Sequence, residues 1–333
     1  MNRRTRRTIW IVAAVLVLVG AAIFLRYVAP PEAARLLPES DGILYFNVKT
    51  VRSFAHFKDL KPPQHAEDYQ QFIDAIGIDP ERDVDEVAIA LHRMADPSGP
   101  NGPVAYSMVL AGKITGARLN GWLEAHAASR ESYAGHTIYS IPSEGRTVRV
   151  AQIGYDMVAV SNTPTPEQIH SMLDRHSTAA WPFAGSALLR QHYHEVPLLS
   201  LAWGVGQIGL PFNESGAISV LGLSLPLEAD STIIASFGWT GSLRIVEIAP
   251  SEAVAARQAA ALQMLVTLAR DFTLPLAGNA ENNSLKELLK TAEITRKHER
   301  VVVTASVDRS LFSGLDATPK GSADSSSGPD ASK

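Results

Sequence analysis

The chain has 333 residues and no cysteine, which excludes disulfides, thiolate metal sites, cysteine nucleophiles and a lipidated cysteine together, so the fold must rest on an apolar core. Five basic residues stand at or before Arg26 and no acidic one does, so from Tyr27 onward 25 Lys and Arg face 34 Asp and Glu, a formal charge of −9. A surface of that sign repels phosphate polymers, and no basic-aromatic interleaving offsets it, so nucleic acid is excluded as a partner.

The first element is the uncharged run Thr8–Leu25, placed directly behind Arg3, Arg4, Arg6 and Arg7. At 1.5 Å per residue it reaches roughly 27 Å, and Arg26 and Tyr27 can add length by snorkelling to the far headgroups. The run is too long for a cleaved signal peptide, because Ile23, Phe24 and Leu25 continue it past the small residues Gly20, Ala21 and Ala22. It reads as a single-pass anchor in the inner membrane with the basic stub inside and the C-terminal bulk outside the cytoplasm.

Pro30 to Ala34 reads as a short spacer, and Gly42–Val48 as a first strand rich in Ile, Leu, Tyr, Phe and Val. Further strands are expected at Glu86–His92, Val104–Ala111, Thr137–Ile141, Val148–Ile153 and Met157–Ser161, and helices at Ala66–Ile76, Ala117–Ala127 and Pro166–His176. Thr165 is placed to cap the last helix, and Ile169, Met172 and Leu173 give it a buried stripe. From Ser186 the order recurs: a helix (Ala187–His194), strands (Leu198–Trp203, Ala217–Leu225, Thr232–Trp239), a long helix (Ser251–Asp271) and a strand pair (Ala292–His298, Arg300–Val307).

The fold class this implies is α+β: a transmembrane helix followed by two mixed, largely antiparallel sheet-plus-helix lobes related as a degenerate tandem repeat. The boundaries are 1–28 for stub and anchor, 29–36 for the spacer, 37–176 and 177–315 for the lobes, and 316–333 for a disordered tail of Gly, Ser, Asp and Lys.

Gly204, Gly206 and Gly209 form a GxGxxG after a strand, but Pro211 and Phe212 follow where a dinucleotide site needs a helix, so the glycines read as a twisted strand. Asp83, Asp85 and Glu86 read as carboxylates solvating a turn. No serine stands in a GxSxG or SxxK context. His170 and Asp174 lie one helical turn apart, a workable first pair for zinc, and no second pair accompanies them. His192, His194 and Glu195 crowd together, yet residues two apart on a helix point about 200° from one another and cannot chelate one ion. The sequence therefore assigns no catalytic residue, no cofactor and no metal, and leaves His170, Asp174, His192, His194 and Glu195 as the candidate ligands.

Leu37-Pro38 before the first strand, the Gly77-Ile78-Asp79-Pro80 turn leading to Asp83, and Tyr133-Ala134-Gly135-His136 with Tyr139 resemble single-pass membrane-anchored bacterial envelope proteins of unknown function. The resemblance implies an anchored α+β ectodomain and carries over no active-site residue. The function expected from these readings is contact: a non-catalytic protein that binds another envelope component or itself through sheet edges and aromatics such as Trp181, Phe183 and Trp203. The alternative is a membrane-tethered hydrolase or metalloenzyme whose site is assembled only in three dimensions.

Overall fold

A computed structural model describes residues 15, 17, 19–20, 28–54, 66–114, 116–178, 184–207, 217–220, 223–226, 230–271, 288 and 290–306. The protein is α+β, with helices packed on a large antiparallel sheet. Residues 37–176 supply β1 (Gly42–Phe46), β2 (Val84–Arg93), β3 (Val104–Gly112), β4 (Ser129–Tyr133), β5 (His136–Ser143), β6 (Arg146–Ile153) and β7 (Met157–Ser161). The remainder supplies β8 (Ser200–Gln207), a separate hairpin of β9 (Ala217–Val220) and β10 (Leu223–Pro226), then β11 (Thr232–Gly238), β12 (Ser242–Ile248), β13 (Glu293–Lys297) and β14 (Arg300–Ser306). The main sheet has twelve strands in the order β13-β14-β12-β11-β8-β1-β2-β3-β7-β6-β5-β4. The two segments expected as lobes therefore share one sheet, joined by the antiparallel pair β1 and β8 in register Leu44 with Gly204.

One face of the sheet carries helices α1 (Glu32–Leu36), α6 (Glu167–Ser177) and α7 (Ala187–His192). The main core forms beneath them from Ala33, Ala34 and Leu36 of α1, Ile169, Met172 and Leu173 of α6, Leu188 and Leu189 of α7, and the inward residues Ile43, Ala88, Val109, Ala151 and Ala159. Small Ala side chains on both sides let α1 close on β2 and β3. On the opposite face α3 (Glu67–Ile76) and α5 (Gly116–His126) cover Tyr139, Val150 and Val158 with Ile76, Leu119 and Leu123, while α8 (Glu252–Asp271) covers Val301 and Val303 with Ala255, Ala259 and Leu262.

Local chemistry ends these elements where the residues dictate. Gly77 closes α3 with φ of 68°, a left-handed value open to glycine, and its amide donates to the Ile73 carbonyl. Pro80 then opens α4 (Pro80–Asp83); Asp79 accepts from the Glu81 amide at 3.0 Å, and Asp83 accepts from the Asp79 amide at 2.9 Å.

Several expectations are corrected. The proposed spacer is core: Ala33, Ala34 and Leu36 are fully buried because α1 packs on β2 and β3. The first strand ends at Phe46, and Val48–Phe54 form helix α2. Thr165 does not cap α6; its hydroxyl turns to Glu167 Oε2 at 3.3 Å, and Pro166 holds the cap position with no side-chain bond. Ala217–Leu225 is a hairpin apart from the main sheet, and the strands beside β11 are β8 and β12. No helix among the described residues is long and apolar enough to cross a membrane. Of the run expected as anchor, Val15, Val17, Val19 and Gly20 are helical, with the three valines about half exposed or more, and its other residues lie outside those described. Trp181, Phe183 and the tail also lie outside them.

Candidate binding site

The five candidate ligands fall at opposite ends of the sheet. His170 and Asp174 project from α6 onto the edge strand β4. The Tyr133 ring stacks on the His170 imidazole at 3.8 Å between centroids, and Tyr133 Oη donates to Asp174 Oδ2 at 2.9 Å. That bond, ahead of burial, raises the phenol pKa. His170 Nε2 lies 2.9 Å from Glu131 Oε1, within ion-pair distance but outside hydrogen-bond geometry. The one-turn spacing of His170 and Asp174 thus serves to clamp α6 to β4.

His192 closes α7, and His194 and Glu195 follow in a single 3₁₀ turn. Glu195 meets Arg300 Nη2 at 2.8 Å, His194 Nε2 at 3.3 Å and Arg244 Nη2 at 4.0 Å, while Arg244 Nη1 donates to the Glu195 carbonyl at 2.9 Å. Burial first, then the neighbouring His194, lowers the His192 pKa, with Glu195 opposing. Among the described residues no group of three or more His, Asp or Glu is arranged to hold a metal.

Two buried polar systems escaped the sequence reading. His92 Nε2 lies 3.0 Å from Ser107 Oγ, which lies 3.1 Å from Ser161 Oγ, itself 2.9 Å from Thr163 Oγ1. The pairing resembles an activated serine, but Ser107 and Ser161 are fully buried, so no substrate reaches them. Burial lowers the His92 pKa, opposed by Asp41. Glu86 solvates no turn. It is half-buried beside Tyr45, and burial raises its pKa, opposed by the hydrogen bond from Tyr45 and reinforced by Glu32 and Asp85.

The open site emerges from one cross-strand row on the face that carries α6 and α7. From β5 to β8 the row reads Ile138, Ala151, Ala159, Val109, Ala88, Tyr45 and Trp203, all buried. Tyr45 stacks on Trp203 at 5.4 Å, and Tyr193 meets the same indole edge-on at 5.4 Å, so Trp203 is core and not a contact residue. Beyond it the row turns polar: Ser236, Arg244, Thr304 and Glu293. Here the face opens as a pocket of about 420 Å³, bordered by Pro197, Leu198, Trp239 and Thr291, within the range of roughly 300–1,000 Å³ typical of ligand sites.

Its rim is apolar and strained. Leu198 and Trp239 are 54% and 50% exposed, and Leu199, between the lining residues Leu198 and Ser200, is 58% exposed and takes φ of 66°, a value costly for a bulky side chain. Three of the hydroxyls that line the pocket donate to backbone carbonyls. Ser200 donates to the Pro197 carbonyl at 2.7 Å, Ser236 to that of Arg244 at 3.3 Å, and Thr291 to that of Leu288 at 3.0 Å. Hydroxyls so used offer lone pairs to the pocket. No sequence motif marks this site, because its residues are scattered from Pro197 to Ser306.

No protein-family profile matches the chain, and no curated protein matches it. Solved structures of TP0453 are similar to it: crystal form III at 13% identity and a TM-score of 0.47, covering 86% of this chain and 98% of that one. Form IV gives 14% identity and 0.44 over 86% and 96%, and form I 14% and 0.42 over 85% and 96%. Likeness at this level bears on neither the site nor its ligand.

Proposed function

We propose that this protein is a non-catalytic binding protein of the bacterial envelope, held at the inner membrane by its N-terminal apolar run, and that it captures another envelope component in the pocket beside Trp239. The observation that carries the reading is the change along one cross-strand row from buried apolar residues to Ser236, Arg244, Thr304 and Glu293 under an exposed, strained rim. Leucines left half exposed and a backbone held in a costly conformation are expected where a surface is completed by something else.

A tandem repeat accounts for why the pocket lies where it does. In the order β1-β2-β3-β7-β6, the last strand of the segment returns beside the third; β8-β11-β12-β14-β13 has the same arrangement, and in each a helix leads from the third strand toward the returning pair. In the first segment α6 packs over β6 and β7. In the second, the equivalent face of β14 and β13 borders the pocket. The free edges are poor candidates for contact. Both edge strands are five residues long and carry charges, Arg130 and Glu131 on β4, and Glu293, Arg296 and Lys297 on β13, a composition that discourages strand addition.

A photo-crosslinking residue placed at Leu198 in intact cells tests the proposal. A recurrent adduct, weakened by Leu199→Asp, is expected. Absence of any adduct, together with turnover in a hydrolase screen that a point substitution abolishes, would overturn it.

A further inference from the structure

We infer that the pocket takes a neutral, hydroxyl-rich ring compound, a saccharide, as its ligand; this rests on the binding reading above and names the chemistry of what is bound. Three observations converge on it.

The first is hydrogen-bond polarity. Ser200, Ser236 and Thr291 spend their protons on backbone carbonyls at 2.7, 3.3 and 3.0 Å, and Thr240 directs its own to Ser242 Oγ at 3.3 Å. Each keeps a lone pair, Thr291 after accepting from the Ser306 amide at 2.9 Å; the Glu293 carboxylate adds two acceptor oxygens, and Arg244 with the hydroxyls of Ser242, Thr304 and Ser306 adds donors. A lining of acceptors with some donors among them suits a compound carrying several hydroxyls, which both donate and accept, over phosphates and carboxylates, which accept only.

The second is charge. Arg244 and Glu293 are the charged side chains bordering the pocket, and they cancel. Arg244 is further engaged, donating to the Glu195 carbonyl at 2.9 Å and lying 4.0 Å from its carboxylate. A ligand with net charge would leave an uncompensated partner in the pocket, whereas a neutral one would not.

The third is shape and surface. Leu198, Leu243 and the half-exposed indole of Trp239 border a pocket that also carries the hydroxyls of Ser200, Thr240 and Ser242. A sugar ring has the matching division, with hydroxyls at its rim and C–H groups on its face, and large amphipathic aromatics favour such contacts. The volume of about 420 Å³ is ample for a unit of one or two rings.

The test uses the full chain in a zwitterionic detergent without a sugar headgroup, with cellobiose, maltose and trehalose as separate probes and spermidine and glucose 6-phosphate as charged controls. Saturation-transfer NMR at about 10 mM probe detects affinities down to the millimolar range. Transfer from at least one disaccharide is expected, exceeding both controls and unchanged when salt is raised to about 0.5 M, because no ion pair contributes. Trp239→Ala should weaken it about tenfold or more, with circular dichroism unchanged. Glu293→Gln, which keeps the shape and one acceptor, should weaken it less. Transfer from none of the three disaccharides, or stronger transfer from either charged control, overturns the inference. If the Leu198 adduct still forms in cells while the sugars fail, the binding reading stands and only the ligand class falls; loss of both removes both.

Discussion

Leu36→Ala tests whether residues 29–36 belong to the fold or merely lead into it. The side chain is fully buried beneath α1, in the cluster that includes Ala88 and Val109. The substitution deletes three carbons, worth about 2.4 kcal/mol of transfer free energy at roughly 0.8 kcal/mol each. The sheet floor offers little collapse, because the inward side chains there are alanines already at zero exposure, so a cavity cost adds to this and the total reaches about 3–4 kcal/mol. Glu32, on the same short helix but exposed, provides the control; Glu32→Ala should stay within about 0.5 kcal/mol. Equilibrium urea unfolding followed by circular dichroism measures both. A loss below about 1 kcal/mol for Leu36→Ala would refute the placement of α1 in the core.

Three further outcomes are expected. Gly112→Ala should destabilise by about 3 kcal/mol, since a Cβ there meets the backbone of residues 83–85, including Val84 Cα at 2.9 Å, and unchanged thermal unfolding would contradict that crowding. Leu199→Gly should stabilise by about 1 kcal/mol by releasing the left-handed strain at an exposed position, and a destabilised variant would show that the strain is not stored there. Because burial raises the Glu86 pKa above 4.5, the native state holds that proton more tightly than the unfolded chain does. Its contribution is present below that value and lost as pH rises through the folded-state pKa. Glu86→Gln should then raise stability near pH 7 and leave it nearly unchanged near pH 4, and an equal shift at both would rule the coupling out.

Strands with alternating or continuous apolar character were legible in the sequence: Met157–Ser161 was placed to the residue, and β2, β3 and β6 to within two. Ser129–Tyr133 was not, because Ser-Arg-Glu-Ser-Tyr has no apolar alternation and is held as a strand by its pairing with β5. The buried helix α1 was missed for a related reason. Pro30 and Pro31 read as a linker, and the alanines that make close packing possible carry no hydrophobic signal of their own. The Gly77-to-Asp83 turn was legible because its chemistry is local. The pocket was not, since Ser200, Ser236, Thr304 and Glu293 become neighbours only through cross-strand register. The spacing of His170 and Asp174 was legible as one helical turn, but their stacking and hydrogen bond to Tyr133 on β4 were not, because that contact is made across 37 to 41 residues of chain.

The β1–β8 junction lies near the middle of the twelve strands, and every neighbour in that sheet is antiparallel. Cutting the chain between α6 and α7 would not release two self-sufficient pieces; it would give two fragments that each present a raw inner edge with Leu44 or Gly204 at its centre. Such fragments have a built-in reason to find each other, so a nicked molecule should remain whole and separately expressed pieces should reassemble by complementation. A defect introduced on one side of the junction is, for the same reason, felt across it as a loss of the whole sheet.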